Sequence, residues 1–255
     1  MPRSEQNYSA ILFDKATTLD YPALVLRSRE VHIWAVALNR PGPEIEELRK
    51  LLDPAERQRA DRFRFEADRL RYVVAHGYVR RVLSTYTKTA PENLSMIIGK
   101  YGKPELEQGI GRPGLHYSLS HSKEYAAIAV AQSPLGVDVE DPRELVDMGS
   151  LALSTFHPGE ASAILSRSGK DAEAAFFCCW TRKEAVVKAL GSGLFMPLDC
   201  FEVSVDRCHP RLLSFHSDWF PDGELHLLHF ELPGDTIGAA AMPFVPVTVK
   251  AVLIS

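Results

Sequence analysis

"GVDVE", residues 136–140, sets two carboxylates two positions apart in a run of valines. The β-branched residues at 137 and 139 predict a strand, and side chains at i and i+2 of a strand share one face. Val137 and Val139 then turn towards a core, and Asp138 and Glu140 towards the opposite side. Two carboxylates held on one face repel each other, which leaves two readings. Either the face is solvated, in keeping with Asp141 just beyond it, or a cation lies between the acids. Mg²⁺ suits the second reading, because it takes oxygen ligands from one or two carboxylates together with phosphate and water.

"WTRKEAVVKAL", residues 180–190, reads as a helix that Gly191 is placed to end. Trp180, Glu184 and Lys188 fall at i, i+4 and i+8 on one face, with Lys183 beside Glu184. The spacing by itself fits an ordinary surface Glu–Lys pair, a contribution of roughly a few tenths of a kcal/mol. It equally offers a third carboxylate to the two on the strand.

Around these stretches the pattern is α+β, not an alternating βαβ order. "VHIWAVAL" (31–38) predicts a strand, and "PGP" at 41–43 breaks it and starts a helix. "DPAERQRADRFRF" (53–65) opens a second helix with Asp53 as N-cap and Pro54 at the first helical position. Residues 68–87 form a long amphipathic helix with Leu70, Val73, Val74, Tyr78 and Val82 at helical spacing. Strand-like runs follow at 96–106, 115–122, 125–132 and 135–140, joined by short connections as in a meander. A helical region over 147–191 comes next, then strands at 201–206, 224–230, 236–242 and 247–254. The plan before residue 134 is repeated after it, a long helix and then several strands. We therefore expect an irregular extension over 1–30 and two similar α+β halves, 31–134 and 135–255.

Composition bounds the function. The chain has 255 residues, 45% apolar and 24% charged, with a net charge of −4. That is ordinary for a globular protein and gives no general attraction to nucleic acid or anionic membranes. Arginines at 57, 59, 62, 64, 69, 71, 80 and 81 nevertheless crowd one helical stretch and provide for a local anion site. Cys178, Cys179, Cys200 and Cys208 show no CxxC spacing, and Cys208-His209 has no second ligand pair for zinc. The N-terminus lacks the apolar core of a signal peptide, and no apolar run reaches the roughly 18 residues of a membrane span. A cytoplasmic location is expected.

Other residues suit phosphate chemistry. "LHYSLSHS" (115–122) carries His116 and His121 among serines, where hydroxyls and an imidazole can donate to phosphate oxygens or simply form a polar turn. "YGKPEL" (101–106) puts Lys103 in a tight turn. The GxxxxGK[ST], GxGxxG and GxSxG fingerprints are absent.

Taken in order, "YGKPEL", "LHYSLSHS", "LGVDVE" and "WTRKEAVVKALGSGL" strongly resemble the 4′-phosphopantetheinyl transferase superfamily, in its larger Sfp-like class. The family pattern G-[IV]-D-[IV]-E is filled by Gly136 to Glu140, and [FW]-x-x-K-E-[AS]-x-x-K by Trp180 to Lys188. The resemblance extends upstream through "DPAERQRADRF" and "DRLRYVVAHGYVRRVL" and covers roughly residues 31–205. It implies a monomer of two similar halves with coenzyme A bound between them. The reaction it implies moves 4′-phosphopantetheine from coenzyme A to a serine of an acyl or peptidyl carrier protein and leaves adenosine 3′,5′-bisphosphate.

By the same match Asp138, Glu140 and Glu184 are expected to bind Mg²⁺, with Mn²⁺ a possible substitute. Lys188 is expected at the pyrophosphate, and Glu184 is the candidate to take the serine proton. Ser120 and His121 match positions that meet the 3′-phosphate, Lys103 the turn lysine at the nucleotide, and Arg71 and Arg59 basic positions at the nucleotide phosphates. The chain departs from the surfactin-type pattern at Glu56, where a lysine is usual. Residues 152–160 and 191–198, with Leu194, Phe195 and Met196, flank the expected site as either carrier contacts or core. Two rivals use the same residues: a Mg²⁺-dependent hydrolase of coenzyme A or a related nucleotide pyrophosphate, and a homologue that binds carriers without turnover.

Overall fold

Residues 30–37 alternate between two cores. Trp34 and Val36 pack under helices, whereas Val31, Ile33 and Ala35 pack against a second sheet. The computed structural model describes residues 11–255 except 18, 20–23, 100, 108–113 and 216–224. The rest of the expected 1–30 extension, and Glu224 at the start of an expected strand, lie outside the described residues.

In chain order the elements are β1 (Asp14–Ala16), β2 (Glu30–Ala37), α1 (Gly42–Leu51), α2 (Pro54–Asp61), α3 (Glu66–Thr87), β3 (Met96–Ile98), β4 (Pro104–Leu106), β5 (His116–His121), β6 (Tyr125–Ala131) and β7 (Gly136–Glu140). Then come α4 (Met148–Thr155), α5 (Pro158–Leu165), α6 (Gly169–Leu190), β8 (Phe201–Val203), β9 (Leu212–Phe215), β10 (His226–Leu232), β11 (Thr236–Met242) and β12 (Thr248–Ile254). Asp53 and Glu56 start α2 with a reciprocal capping box: Glu56 N donates to Asp53 and Asp53 N to Glu56. Gly191 ends α6 in the left-handed conformation, as expected.

Two sheets lie face to face. One has the order β1-β12-β2-β6-β5, the other β10-β11-β7. Between them is a layer of small and branched side chains, among them Ala127, Ala129, Val137, Val139 and Ala240. Outside the first sheet pack α1 and α3; outside the second pack α4, α5 and α6. The result is a four-layer α/β/β/α arrangement in which two 22-residue helices, α3 and α6, back the two sheets. That is the α+β duplication expected.

Two details depart from the expected order. Strand β7 does not continue the β5–β6 hairpin; it leaves to pair antiparallel with β11. The last strand, β12, returns to lie parallel between β1 and β2, so the first sheet draws on both ends of the chain. Strands β5 and β7, one at the edge of each sheet, end up side by side. Ser118 Oγ accepts from Val137 N at 3.1 Å, bridging them through a side chain in place of a backbone ladder.

Helix α6 lies directly on β7. A Cβ added at Gly136 would stand 2.0 Å from the Ala185 carbonyl oxygen and 2.5 Å from the Ala189 nitrogen. Both neighbours are main chain, so helix or strand would have to shift. We expect Gly136→Ala to lower stability by about 2–3 kcal/mol, in the range of overpacking changes, as read from urea unfolding. Unchanged stability would show that α6 is not seated as described.

Candidate active site

The contact at Gly136 sets the geometry of everything nearby. Asp138 and Glu140 share the Gly136 face of β7, so they point at α6, and Lys188 and Glu184 lie on the side of α6 that meets them. Lys188 Nζ donates to Asp138 Oδ1 at 2.6 Å, and Ser120 Oγ donates to the same oxygen at 2.7 Å. Asp138 Oδ2 is buried without a hydrogen-bond partner. Glu140 is half-buried with Arg143 Nη1 at 3.3 Å. Burial first, and then the Asp138 charge, push the Glu140 and Glu184 carboxyls above the usual range. Arg143 opposes the shift at Glu140 and Lys188 opposes it at Glu184.

Three acids thus gather, with Lys188 on Asp138 and Arg143 on Glu140 as the cations beside them. Among the described residues no group of three or more His, Cys, Asp or Glu side chains is arranged to hold a metal ion. Lys188 and Arg143 hold two of the acids. The all-oxygen donor set and the orphaned Asp138 Oδ2 nevertheless suit a hard divalent ion.

Glu184 and Lys188 of this group line a cleft of about 500 Å³, and Asp138 lies just behind it, bonded to Lys188. Arg59, His76, Lys103, His121, Glu184 and Lys188 all line it. Of the eight crowded arginines only Arg59 reaches the lining, where His76, Lys103 and His121 join it. Burial, and then the nearby His76, lower the His121 pKa; Lys188 and Arg71 act in the same direction.

Each expected residue can now be placed. Ser120 and His121 sit on β5, but the Ser120 hydroxyl is engaged by Asp138. Lys103, at the mouth of the β3–β4 hairpin, donates at 2.8 Å to the carbonyls of both Leu135 and Lys188. Burial lowers its pKa to about 8. Arg59 lies over the Tyr72 ring, 5.8 Å from its centroid. Arg71 is not part of the lining; it pairs with Asp68 at 2.9 Å and donates to the Lys123 carbonyl. Met196 is buried in the lining, while Phe195 is 72% exposed beside Tyr101. The Leu194 side chain lies outside the described residues.

Glu56 proves harmless to an anion site. Its carboxylate is consumed by the Asp53 amide, by Arg80 at 2.7 Å and by His76 at 3.4 Å. His76 in turn stacks on Tyr72 with ring centroids 3.9 Å apart. The sequence reading passed over His76, although its i, i+4 spacing from Tyr72 was the available signal. It also placed Lys183 merely beside Glu184. Lys183 is instead fully buried, 2.8 Å from Glu160, and donates to the Leu198 and Phe201 carbonyls.

The comparisons with known proteins agree with this layout. The profile of the 4′-phosphopantetheinyl transferase superfamily matches residues 134–236, and that of the 4′-phosphopantetheinyl transferase N-terminal region matches 41–133. The 4′-phosphopantetheinyl transferase HetI of Nostoc sp. is 33% identical over 199 residues, 78% of this chain and 84% of the relative. The 4′-phosphopantetheinyl transferase Sfp of Bacillus subtilis is 27% identical over 177 residues, 69% of this chain and 77% of the relative. The chain belongs to the 4′-phosphopantetheinyl transferase superfamily and is a transferase of the Sfp-like type. No helix among the described residues is long and apolar enough to cross a membrane.

Lys183 anchors the segment that follows α6 by its carbonyls, so the Glu160 pair supports one wall of the cleft. Removing one member of a buried ion pair typically costs about 3–5 kcal/mol. We expect that loss from Lys183→Met in urea unfolding, partly recovered when Glu160→Gln is added. A loss below about 1 kcal/mol would show that water reaches the pair.

Proposed function

We propose that this chain performs its family's transfer with coenzyme A as donor and a carrier-protein serine as acceptor, where Glu184 and Lys188 line the cleft. The observation that carries the reading is the meeting of Asp138 and Glu140 from β7 with Glu184 and Lys188 from α6, beside a cleft that Arg59, His76, Lys103 and His121 also line. A ligand that carries a pyrophosphate and a phosphate monoester on one nucleotide supplies negative charge to match both the lysine and the histidine–arginine side of the cleft.

Asp138, Glu140 and Glu184 would hold Mg²⁺. Bound there, the ion would neutralise charge on the transferring phosphoryl group. Lys188 would bind the pyrophosphate and stabilise the charge that develops on the leaving phosphate. His121, with Arg59 near it, would receive the monoester. The serine hydroxyl oxygen forms the new bond to the phosphorus that bears pantetheine. The bond from that phosphorus to the bridging oxygen breaks, and adenosine 3′,5′-bisphosphate leaves. Glu184, which lines the cleft, would take the serine proton directly or through water. Phe195, exposed beside the cleft, offers apolar surface to the carrier.

The reading is tested by intact mass of several apo carrier proteins incubated with the protein, coenzyme A and Mg²⁺, with an EDTA control. The expected result is a metal-dependent gain of one phosphopantetheine. Asp138→Ala and Glu184→Ala should each lower the rate at least about a thousandfold while circular dichroism stays unchanged. Free coenzyme A hydrolysed with no gain on any carrier would favour a hydrolase instead. Full transfer by either variant would refute the metal assignment.

The His121 environment also fixes a pH dependence. Burial lowers the pKa in the free protein, and a phosphate dianion at the imidazole would raise it again. Between those two values binding takes up a proton, so coenzyme A affinity should fall as pH rises through that window. Calorimetry should show this slope in the wild type and its loss in His121→Asn. Equal slopes would remove His121 from the phosphate.

A further inference from the structure

We infer that Lys188 is a resident counter-ion of Asp138, and that it opposes divalent-cation binding at this carboxylate until an anionic ligand draws it away. This inference rests on the metal assignment above and adds how the site regulates its own loading. Metal and anionic ligand are expected to bind cooperatively, because the ligand supplies the place to which Lys188 moves.

The pairing is lopsided. Asp138 Oδ1 accepts from both Lys188 and Ser120, while Oδ2 is buried with no partner. The carboxylate is 6% exposed, so the ammonium at 2.6 Å is its main compensation for lost hydration. Lys188 itself is 27% exposed and lines the cleft, so its flexible stem has open space to swing into. Its helix position need not change, since the backbone is fixed against Gly136 and its carbonyl is held by Lys103.

Even at the free Oδ2, a divalent ion would share the carboxylate with the Lys188 ammonium on Oδ1, and the two positive centres would repel. A divalent ion entering alone therefore either bears that repulsion or turns the ammonium out into the cleft. A phosphate in the same cleft removes that penalty by accepting the ammonium. Linkage then requires that coenzyme A tighten metal binding by the same factor as metal tightens coenzyme A.

The test is direct Mn²⁺ binding, followed by the electron paramagnetic resonance signal of free Mn²⁺, with and without coenzyme A and with no carrier present. In the wild type we expect coenzyme A to tighten Mn²⁺ binding roughly 10- to 100-fold, within the usual span of coupling. In Lys188→Met, Mn²⁺ alone should bind about tenfold tighter than to the wild type, and the coenzyme A effect should shrink by a similar factor. Lys188→Gln provides a second neutral variant should the first fail to fold. Ser120→Ala, which keeps the charge at Asp138, should retain the coupling. Mn²⁺ binding that is no tighter in both neutral variants, or equal with and without coenzyme A in the wild type, would overturn the inference. If the wild type nonetheless modifies a carrier, the transfer reading survives that result. If the wild type neither binds Mn²⁺ nor modifies a carrier, the metal assignment falls with it.

Discussion

The close approach of α6 to β7 at Gly136 is the constraint on which the site depends. With no side chain at 136, the helix backbone comes within reach of the strand, where a Cβ would meet the Ala185 oxygen at 2.0 Å. Period two along the strand carries Asp138 and Glu140 onto that same face. Period 3.6 along the helix carries Glu184 and Lys188 on successive turns towards them. A helix held at the usual distance by a larger side chain would leave the Lys188 ammonium short of Asp138. One missing Cβ therefore converts two ordinary amphipathic elements into a charged junction.

That junction is costly unless something compensates it, and the surrounding fold explains how it persists. Val137 and Val139 are locked between the two sheets, so β7 cannot rotate its acids outward without exposing a core layer. Lys183, one residue before Glu184, is tied to Glu160 and to two carbonyls beyond the helix. The helix is thereby fixed in rotation from its opposite side. The acids stay close because the core fixes their backbones, not because they attract one another. Unfavourable charge density held by packing is what a cation-dependent centre requires.

Much of this was legible in residues 136–140 and 180–190, because strand and helix periods are local rules that name the face each side chain shares. The α+β duplication was legible for the same reason, from two long helices each followed by strands. The partition of the strands was not. Whether β7 continues a meander or crosses to another sheet depends on long-range packing, and no residue of 133–140 records it. The short β1 and β9 carry too few residues for a period to show. In the site, the fate of hydrogen bonds was hidden: Ser120 and Lys103 have the right chemistry for phosphate, but here their donors are directed to Asp138 and to main-chain carbonyls. Glu56 looked like a defect in a basic patch, until its capping box and Arg80 accounted for its charge.

The use of Lys103 has a mechanical consequence. Its ammonium joins the carbonyl before Gly136 to a carbonyl in the last turn of α6, and the turn that carries it lines the cleft from the first half. Strand, helix and hairpin are thus tied at one point, beside the closest backbone contact in the site. Burial favours the neutral amine; the Glu105 carboxylate opposes that and the Lys188 charge adds to it, leaving the pKa at about 8. A ligand phosphate entering the cleft adds negative potential and favours the ammonium further.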